Sequence, residues 1–340
     1  MTRLLPRRAG TASLMLQVVL ATLPGLAALV AFFGVGVLLT VALAVLGAVL
    51  AEAFGLWLRG RSIRLGLGDG SAIVTGLLLG LALPPLLPAG LTMLGAGLAV
   101  LLGKHVYGGL GQNPFNPAMV GYAILLVSFP VAMTTWTALP QMLANGPAGL
   151  LDAGAVIFAG ASPDAFTGPT PLDDFKHREG LTVAEWQAVS GLGGHFAGQG
   201  WEWVNLGFLA GGLYLLQRRV FSWHAPVGML AALALCAGLF WDGGSSSSPG
   251  SPLFHLLGGA TMLGAFFIVT DPVSGARSPR GRLIFGIGVG ILVYVIRAFG
   301  GYPDAMAFAV LLMNAAAPMI DAWTRPRPYG HPPASASKEP

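Results

Sequence analysis

Few residues of this chain combine a reactive group with a polar setting, and one short stretch holds several of them. The sequence DAFTGPTPLD, residues 164–173, contains two threonines, a glycine and two prolines without a periodic apolar residue. Gly168 permits backbone freedom, while Pro169 and Pro171 remove backbone donors and keep the chain extended, so Thr170 is predicted to be exposed between them. The stretch either presents this hydroxyl for attachment of a group or is a simple turn, and its residues alone fit both interpretations.

A second candidate site is the sequence GGLGQNPFNPAM, residues 108–119. Asn113 and Asn116 each precede a proline, which favours extended backbone at both asparagines and is typical of turns. If this irregular backbone lies at membrane depth, it must line a cavity or be buried in protein. The two amides then either contact a bound polar ring or an ion, or belong to a well-capped connection between helices.

The other ionisable residues give little indication of a catalytic or binding role. Asp271 is expected to cap the following segment or to pair with a neighbouring arginine. Glu52, Asp321 and Arg297 lie near predicted helix ends, where snorkelling to the membrane interface explains them. None of the six histidines is expected to form an i, i+4 pair with a carboxylate, so no metal site is predicted.

The elements that position these residues are membrane helices. Of the 340 residues, 54% are hydrophobic and 9% are charged, whereas soluble domains carry about 25% charged residues. The chain is therefore predicted to be an all-α polytopic membrane protein, and the composition gives no indication of nucleic-acid binding. Its single cysteine, Cys236, makes neither a disulfide nor an iron–sulfur site within this chain.

Ten apolar segments are long enough to be transmembrane spans. Their predicted limits are 12–33, 35–56, 71–87, 90–107, 117–137, 201–217, 223–241, 253–270, 281–298 and 303–323. The third is short and ends at Pro84-Pro85, which suggests a broken or re-entrant helix.

The basic residues predict the orientation of these spans. With the N-terminus in the cytoplasm, the outside segments hold only Lys176, Arg178 and Arg297. The inside set is Arg3, Arg7, Arg8, Arg59, Arg61, Arg64, Lys104, Arg218, Arg219, Arg277, Arg280, Arg282, Arg325, Arg327 and Lys338. This asymmetry obeys the positive-inside rule and predicts that both termini are cytoplasmic.

Ten spans divide into two sets of five, and an odd number inverts the second set relative to the first. The predicted organisation is a first repeat at 1–137, an outer segment at 138–200, a second repeat at 201–323 and a cytoplasmic tail at 324–340. VTGLLLGLALPP (74–85) and MLGAFFIVTDP (262–272) share the same interval from glycine to proline. Chance similarity between low-complexity apolar sequences is the alternative to this inverted repeat.

Several motifs together closely resemble the NqrB/RnfD family. They are GQNPFNPAM, GGATMLGAFFIVTDPVS, SPRGRLIFGIGVGILVYVIRAFGGYPDAMAFAVLLMNAAAPMID and the outer TGPTPLD. This family includes the D subunit of the Rnf complex, an ion-translocating oxidoreductase that links ferredoxin and NAD, and the similar B subunit of the Na⁺-translocating NADH:quinone reductase. The resemblance runs from Arg3 to about Asp321.

The resemblance implies a covalent flavin. In the family, a threonine within an outer pattern similar to D-x-x-S/T-G-A-T carries FMN as a phosphoester made by a flavin transferase. Asp164, Thr167, Gly168 and Thr170 match this pattern, and Thr170 is then the attachment residue. Pro169 departs from it, because the family more often has alanine there.

The resemblance also implies a second, non-covalent flavin, riboflavin, in the membrane region. We place it between the two repeats, near Thr75, Gly76, Asn113 and Asn116. The chain would then be a multi-pass subunit of the bacterial inner membrane with the Thr170 loop in the periplasm. Its partners would be membrane lipid and Rnf subunits A, B, C, E and G, which would supply the iron–sulfur clusters and NAD site for coupled Na⁺ or H⁺ translocation.

By this resemblance the chain is part of a translocase, a ferredoxin:NAD⁺ oxidoreductase, and is not expected to catalyse the reaction alone. The alternative function is an inverted-repeat channel or passive transporter without redox chemistry. A flavin on the outer threonine separates the two functions, because a channel has no use for it.

Overall fold

The computed structural model describes residues 10–143, 146–302 and 304–325, and helices dominate these ranges. The first part of the chain forms α1 (Thr11–Phe33), α2 (Gly36–Leu58), α3 (Ile63–Leu67), α4 (Ser71–Ala82), α5 (Ala89–Val100), α6 (Pro117–Ser128) and α7 (Pro130–Thr134). The middle part forms β1 (Trp136–Thr137), α8 (Leu150–Ala159), β2 (Thr167–Gly168), α9 (Pro171–Lys176) and α10 (Val183–Val189).

The last part forms α11 (Trp201–Gln217), α12 (His224–Leu239), α13 (Pro252–Leu257), α14 (Thr261–Leu263), α15 (Pro279–Phe299) and α16 (Met306–Thr324). Two π-helical turns, at Leu101–His105 and Gly264–Ile268, continue α5 and α14. The 3₁₀ turns Pro140–Met142 and Asp164–Phe166 lie in the middle part.

Four helices are long and apolar enough to cross a membrane, namely α1, α2, α15 and α16. Shorter apolar helices, including α4, α5, α6 and α12, accompany them. These helices support a polytopic membrane protein, as the composition predicts. The count of ten spans, their inverted repeat and the cytoplasmic termini stay predictions.

Proline and glycine interrupt several predicted spans. The helix expected over 71–87 ends at Ala82, where Leu83 is extended in front of Pro84. The single helix expected over 117–137 is wrong, because α6 ends at Ser128 in front of Pro130. The segment 253–270 is also broken, since Gly258 is extended between α13 and α14.

The helices α1 to α7 are here called the first half, and the helices α11 to α16 with the residues between them are called the second half. In the first half α2 lies along α4 and α5, and in the second half α12 lies along α15 and α13, while α1 packs on α11. Glycines permit the close approach of these helices. A Cβ on Gly76 of α4 would lie 2.6 Å from the Cα of Val45 in α2, and a Cβ on Gly286 of α15 would overlap the Ala225 carbonyl of α12.

The segment predicted to lie outside has structure of its own. Strand β1 pairs antiparallel with β2, with Trp136 opposite Gly168 and Thr137 opposite Thr167. Residues 136–137, which the sequence analysis gave to the fifth span, therefore pair with the outer segment. Helix α8 packs its apolar face on α2 near Leu39 and Leu43.

The predicted tail at 324–340 lies outside the described residues beyond Arg325, as do residues 1–9. The basic residues there that support the predicted orientation are Arg3, Arg7, Arg8, Arg327 and Lys338.

Candidate functional site

Thr170 begins a short helix on the outer segment. It is the N-cap of α9 with extended backbone, and its Oγ1 accepts a hydrogen bond from the backbone N–H of Asp173 at 3.2 Å. Pro169 before it is exposed, Pro171 after it is the first helical residue, and Thr170 itself is half-buried. The capping bond fixes the hydroxyl in one direction and explains why the sequence forms a helix here.

The other residues of the motif lie in the 3₁₀ turn and the strand that precede Thr170. Thr167 and Gly168 form β2, and the N–H of Ala138 donates to the Phe166 carbonyl at 2.9 Å. Asp164 is exposed in the preceding 3₁₀ turn, where its N–H donates to Ser162 Oγ at 3.4 Å. The strand pair therefore positions Thr170, while Asp164 lies apart from it on the surface.

Thr170 lines a narrow cavity between the two halves, here called the outer cavity, in which the centres of water-sized molecules can occupy about 70 Å³. Both halves and the outer segment contribute to it. Its lining includes Leu81, Met119, Tyr122, Leu126, Trp136, Thr170, Leu172, Asp173, Trp201, Val204, Phe208, Phe254, Leu263, Ile268, Tyr302, Asp304 and Met306. Most of these side chains are apolar or aromatic, which is typical of sites for small planar ligands.

An aromatic cluster forms one wall of the outer cavity. The ring centroids of Trp136 and Trp201 are 5.2 Å apart, and Phe33 lies 5.2 Å from Trp201 and 6.3 Å from Trp136. Trp136 belongs to β1 and Trp201 begins α11, so the cluster joins the outer segment to the second half.

A second cavity, here called the inner cavity, is wider, with about 420 Å³ for the centres of water-sized molecules. Three of the four residues predicted for the riboflavin pocket line it. Thr75, Asn113 and Asn116 line it, whereas Gly76 faces α2. Other polar lining residues are Ser71, Lys104, Ser222, Thr270, Asp271 and Arg282. The inner cavity therefore offers amides and two cations, which the described lining of the outer cavity lacks, besides hydroxyls and one carboxylate.

The two cavities lie close together along three elements. Leu78 of α4 lines the inner cavity, and Leu81, one turn later, lines the outer one. In α6, Ala118 lines the inner cavity and the next residue, Met119, lines the outer one. In the second π-helical turn, Phe267 lines the inner cavity and Ile268 the outer one. About one layer of apolar side chains thus separates the cavities.

Asn116 has a structural role and a partner that the sequence analysis missed. Its side-chain oxygen caps α6 by accepting from the Met119 N–H at 3.2 Å. Its own N–H donates to Oδ1 of Asn314 at 3.0 Å, and Nδ2 of Asn314 donates to the Ser274 carbonyl at 3.1 Å. Asn314 of α16 thereby joins the inner connections of both halves. The separation of 198 residues left no local signal of this contact.

Asn205 of α11 has a similar role beside the outer cavity. Its Nδ2 lies 2.8 Å from the Leu257 carbonyl and 2.9 Å from the Gly259 carbonyl, and its Oδ1 accepts from the Met262 N–H at 2.9 Å. These bonds satisfy the backbone groups that the break between α13 and α14 exposes. This role of Asn205 was also not predicted from the sequence.

The snorkelling interpretation of Glu52 is wrong. Its side chain is 3% exposed and accepts a hydrogen bond from Lys104 Nζ at 2.8 Å. Lys104 also donates to Ser71 Oγ at 2.8 Å, and the Lys104 side chain lines the inner cavity. A buried charge requires such a partner, and 52 residues separate this one from Glu52.

Snorkelling is also wrong for Arg297, which is 5% exposed. It lies 3.1 Å from Asp304 and donates to the His255 carbonyl at 2.9 Å. Asp271 caps its own turn by accepting from Val273 N–H and Ser274 Oγ, and it forms no ion pair with an arginine of the described residues.

One histidine does pair with a carboxylate four residues away, contrary to the prediction from the sequence. Asp173 and His177 lie in and after α9, with Oδ1 and Nδ1 separated by 3.5 Å. Both residues are at the surface near Thr170.

The three basic residues predicted outside all line one further cavity beside α9. Lys176 donates to the Tyr302 carbonyl at 3.2 Å, and Arg178 donates to the Ser246 carbonyl at 2.9 Å. Burial lowers the pKa of Lys176 and of Arg178. These two bonds hold the outer segment against the second half.

Comparison with known proteins agrees with the motifs. The sequence model of the NQR2, RnfD, RnfE family matches residues 5–330. The chain is similar to proteins named as the D subunit of an ion-translocating oxidoreductase complex. One from Ectopseudomonas mendocina is 59% identical over 94% of this chain and 92% of the relative. Those from Cellvibrio japonicus and Yersinia enterocolitica are 55% and 51% identical over 94% of this chain and 91% and 95% of the relatives.

These matches cover the helices of both halves, the outer segment with Thr170 and the residues around both cavities. The chain therefore belongs to the NQR2, RnfD, RnfE family.

Proposed function

We propose that this chain is a flavin-carrying membrane subunit of an ion-translocating oxidoreductase complex. The relatives' shared name supports the coarse assignment. The observation that carries the flavin proposal is the position of Thr170, the one hydroxyl singled out by its motif, on a cavity with aromatic lining between the two halves. We propose FMN attached at Thr170 through a phosphoester and riboflavin held in the inner cavity.

Thr170 fits covalent attachment of FMN. A phosphoester needs an accessible hydroxyl oxygen, and Thr170 is half-buried on a loop whose neighbour Pro169 is exposed. Its oxygen serves only as the acceptor of the Asp173 N–H, a role that an ester oxygen keeps in weakened form. A flavin transferase would reach this loop from the periplasm.

The inner cavity fits a non-covalent flavin. An isoalloxazine ring has an apolar face and a polar edge that needs hydrogen-bond partners, and Thr75, Asn113 and Asn116 offer them from the first half. The Asn113 amide donates to the Phe115 carbonyl at 3.0 Å, which fixes its orientation and leaves Oδ1 as an acceptor. Apolar partners for the ring include Phe266 and Phe285.

The stacking of the two cavities supports electron transfer through the chain. Flavins carry one or two electrons, so two of them would link the outer and inner sides. The apolar residues Leu81, Met119 and Ile268 line the outer cavity where it comes closest to the inner one. Electrons would come from ferredoxin and reach NAD, or the reverse, through the Rnf subunits A, B, C, E and G, coupled to Na⁺ or H⁺ translocation.

The decisive experiment is denaturing gel electrophoresis of the full chain coexpressed with a flavin transferase. We expect a fluorescent flavin band for the wild type and for Thr167→Val, and no band for Thr170→Val. The absence of a band in the wild type contradicts the FMN proposal and favours the channel or passive transporter. A band that survives in Thr170→Val contradicts the attachment site.

A further inference from the structure

Helix α8 belongs to the segment predicted to lie outside the membrane, but its composition is that of a membrane helix. Its ten residues, Leu150–Ala159, include one polar side chain, that of Asp152. Asp152 is also the only aspartate, glutamate, lysine or arginine between Lys104 and Asp164. The charged part of the outer segment therefore begins at Asp164, after α8, and continues through α9 and α10.

One face of α8 packs on the protein at a depth that helix α2 defines. Val156 and Ile157 are buried in an apolar cluster against which Leu43 of α2 packs. Leu43 lies seven residues after Gly36, the first residue of α2, which is about 10 Å along the axis at about 1.5 Å per residue. The whole of α2, with 23 residues, is about 34 Å long, close to the about 30 Å of a hydrocarbon core. In the predicted orientation α2 begins at the outer side, so the cluster reaches hydrocarbon depth.

The opposite face of α8 exposes large apolar side chains. Leu151 is 87% exposed and Phe158 is 61% exposed. On α2, which is long and apolar enough to cross a membrane, Leu38 and Leu46 are exposed as well. Both are within one helical turn of residues on which α8 packs. The exposed apolar surface therefore continues from α2 onto α8.

The distribution of polar groups on α8 favours lipid over water. A helix that lies at the membrane surface presents a polar face to water, and a helix that is apolar on all sides belongs in a protein core or a bilayer. Asp152 provides no such face, because its carboxylate accepts the Gly149 N–H at 3.2 Å at the start of α8. At the other end the N–H groups of Gly160 and Ala161 donate to the Ala155 carbonyl. These bonds satisfy backbone groups that lipid could not.

We propose that α8 is embedded in the outer leaflet of the bilayer, with Leu151 and Phe158 in contact with lipid acyl chains. Its ten residues extend about 15 Å, about half of the hydrocarbon core, so α8 enters and leaves on the same side and the orientation of the other spans is unchanged. Phe166 packs against the same cluster and directly precedes β2. The embedded helix thus anchors to the membrane the strand pair that positions Thr170.

Spin labelling of the full chain in vesicles of phosphatidylethanolamine and phosphatidylglycerol tests this position. Molecular oxygen concentrates among the acyl chains and a nickel chelate stays in water, so the ratio of their collision rates with a nitroxide reports its depth. The labelled variants are Leu151→Cys and Phe158→Cys, each in a Cys236→Ala background that removes the single native thiol. Both labels should collide more often with oxygen than with nickel.

Two further positions calibrate the measurement. Leu46→Cys on α2 is the lipid control, because this residue is 48% exposed on a candidate membrane span. Val189→Cys on α10 is the matched aqueous control, because Val189 is an apolar residue of the same outer segment and is 75% exposed. We expect the oxygen-to-nickel ratio at both α8 positions to be severalfold above that at Val189 and close to that at Leu46.

Two outcomes would overturn the proposal. Ratios on α8 equal to that at Val189 would place α8 in water. Little access of either reagent to α8 would mean that protein, from a second copy or another subunit, covers this face in place of lipid.

Photolabelling of the wild-type chain decides the question if a cysteine variant does not fold. A lipid-soluble aryl diazirine in the same vesicles should modify the peptide that contains α8 as well as the peptide that contains α2. An unmodified α8 beside a modified α2 contradicts the embedded position.

Discussion

The outer and inner cavities differ in the groups that line them. The outer cavity is mostly apolar and aromatic, and its described lining has hydroxyls, among them that of Thr170, two carboxylates and no cation. The inner cavity has amides, hydroxyls, one carboxylate and the cations Lys104 and Arg282. From this difference we expect the outer site to retain its ligand by a covalent bond and the inner site by hydrogen bonds. A buried asparagine beside each cavity, Asn205 or Asn314, supports the broken backbone there.

The largest expected effect concerns the inner cavity. Glu52→Leu leaves the Lys104 ammonium buried without its carboxylate, so we expect a loss of about 3–5 kcal/mol in the free energy of unfolding. Thermal and denaturant unfolding in detergent measure it. Riboflavin retention should fall as well, while folded protein keeps its covalent flavin.

The double variant Glu52→Leu/Lys104→Met is the control for this effect. It removes both charges and should recover most of the lost stability. A single variant as stable as the wild type would mean that the Glu52–Lys104 ion pair has no structural role.

The two asparagines should separate the cavities. Asn314→Leu and Asn205→Leu each leave buried backbone groups unsatisfied, at a cost of about 1–3 kcal/mol for each group. Asn314→Leu should lower riboflavin retention and leave the covalent flavin band in the gel unchanged. Asn205→Leu should lower thermal stability and leave riboflavin in place. Identical effects of both variants on both flavins would show that the cavities are not independent.

Adjacent residues of α4 test the inner pocket at finer scale. Thr75→Val removes one hydrogen-bonding group from the lining, so riboflavin affinity should fall by about 2- to 12-fold, as expected for 0.5–1.5 kcal/mol. Equilibrium dialysis measures it. Gly76→Ala should lower stability instead, because its Cβ would lie 2.6 Å from the Val45 Cα. If Gly76→Ala lowered riboflavin affinity and Thr75→Val did not, the pocket would lie on the other face of α4.

The smallest effect is expected at Pro169. Pro169 is exposed and stands where the family more often has alanine. The capping of α9 by Thr170 already fixes the direction of the hydroxyl. Pro169→Ala should therefore leave the yield of covalent flavin unchanged in the gel. A large rise in yield would show that the proline hinders the transferase.

Local sequence signals predicted the parts of the site that short-range chemistry determines. The proline and glycine pattern predicted an exposed Thr170. The residue is indeed an extended N-cap, but it is half-buried because it lines the outer cavity. The Asn-Pro pair at 116–117 indicated an irregular connection, and Asn116 indeed caps α6. Apolar run lengths located the long helices, although Pro130 ended α6 earlier than the hydropathy suggested.

Contacts between distant residues had no such signal. Glu52 and Lys104, or Asn116 and Asn314, become neighbours only when the helices pack, so the sequence around each residue did not indicate its partner. Gly76 was predicted for the pocket together with Thr75, but successive helical residues face different directions, and the glycine faces α2. The presence of two cavities was equally invisible, since it arises from how both halves meet.

The most direct test of the central claim is mass spectrometry of the Thr170 peptide from the full chain, purified after coexpression with a flavin transferase. We predict that the peptide carries the mass of FMN less one water and that fragmentation places it on Thr170. An unmodified peptide, or FMN on Thr167, would contradict the claim.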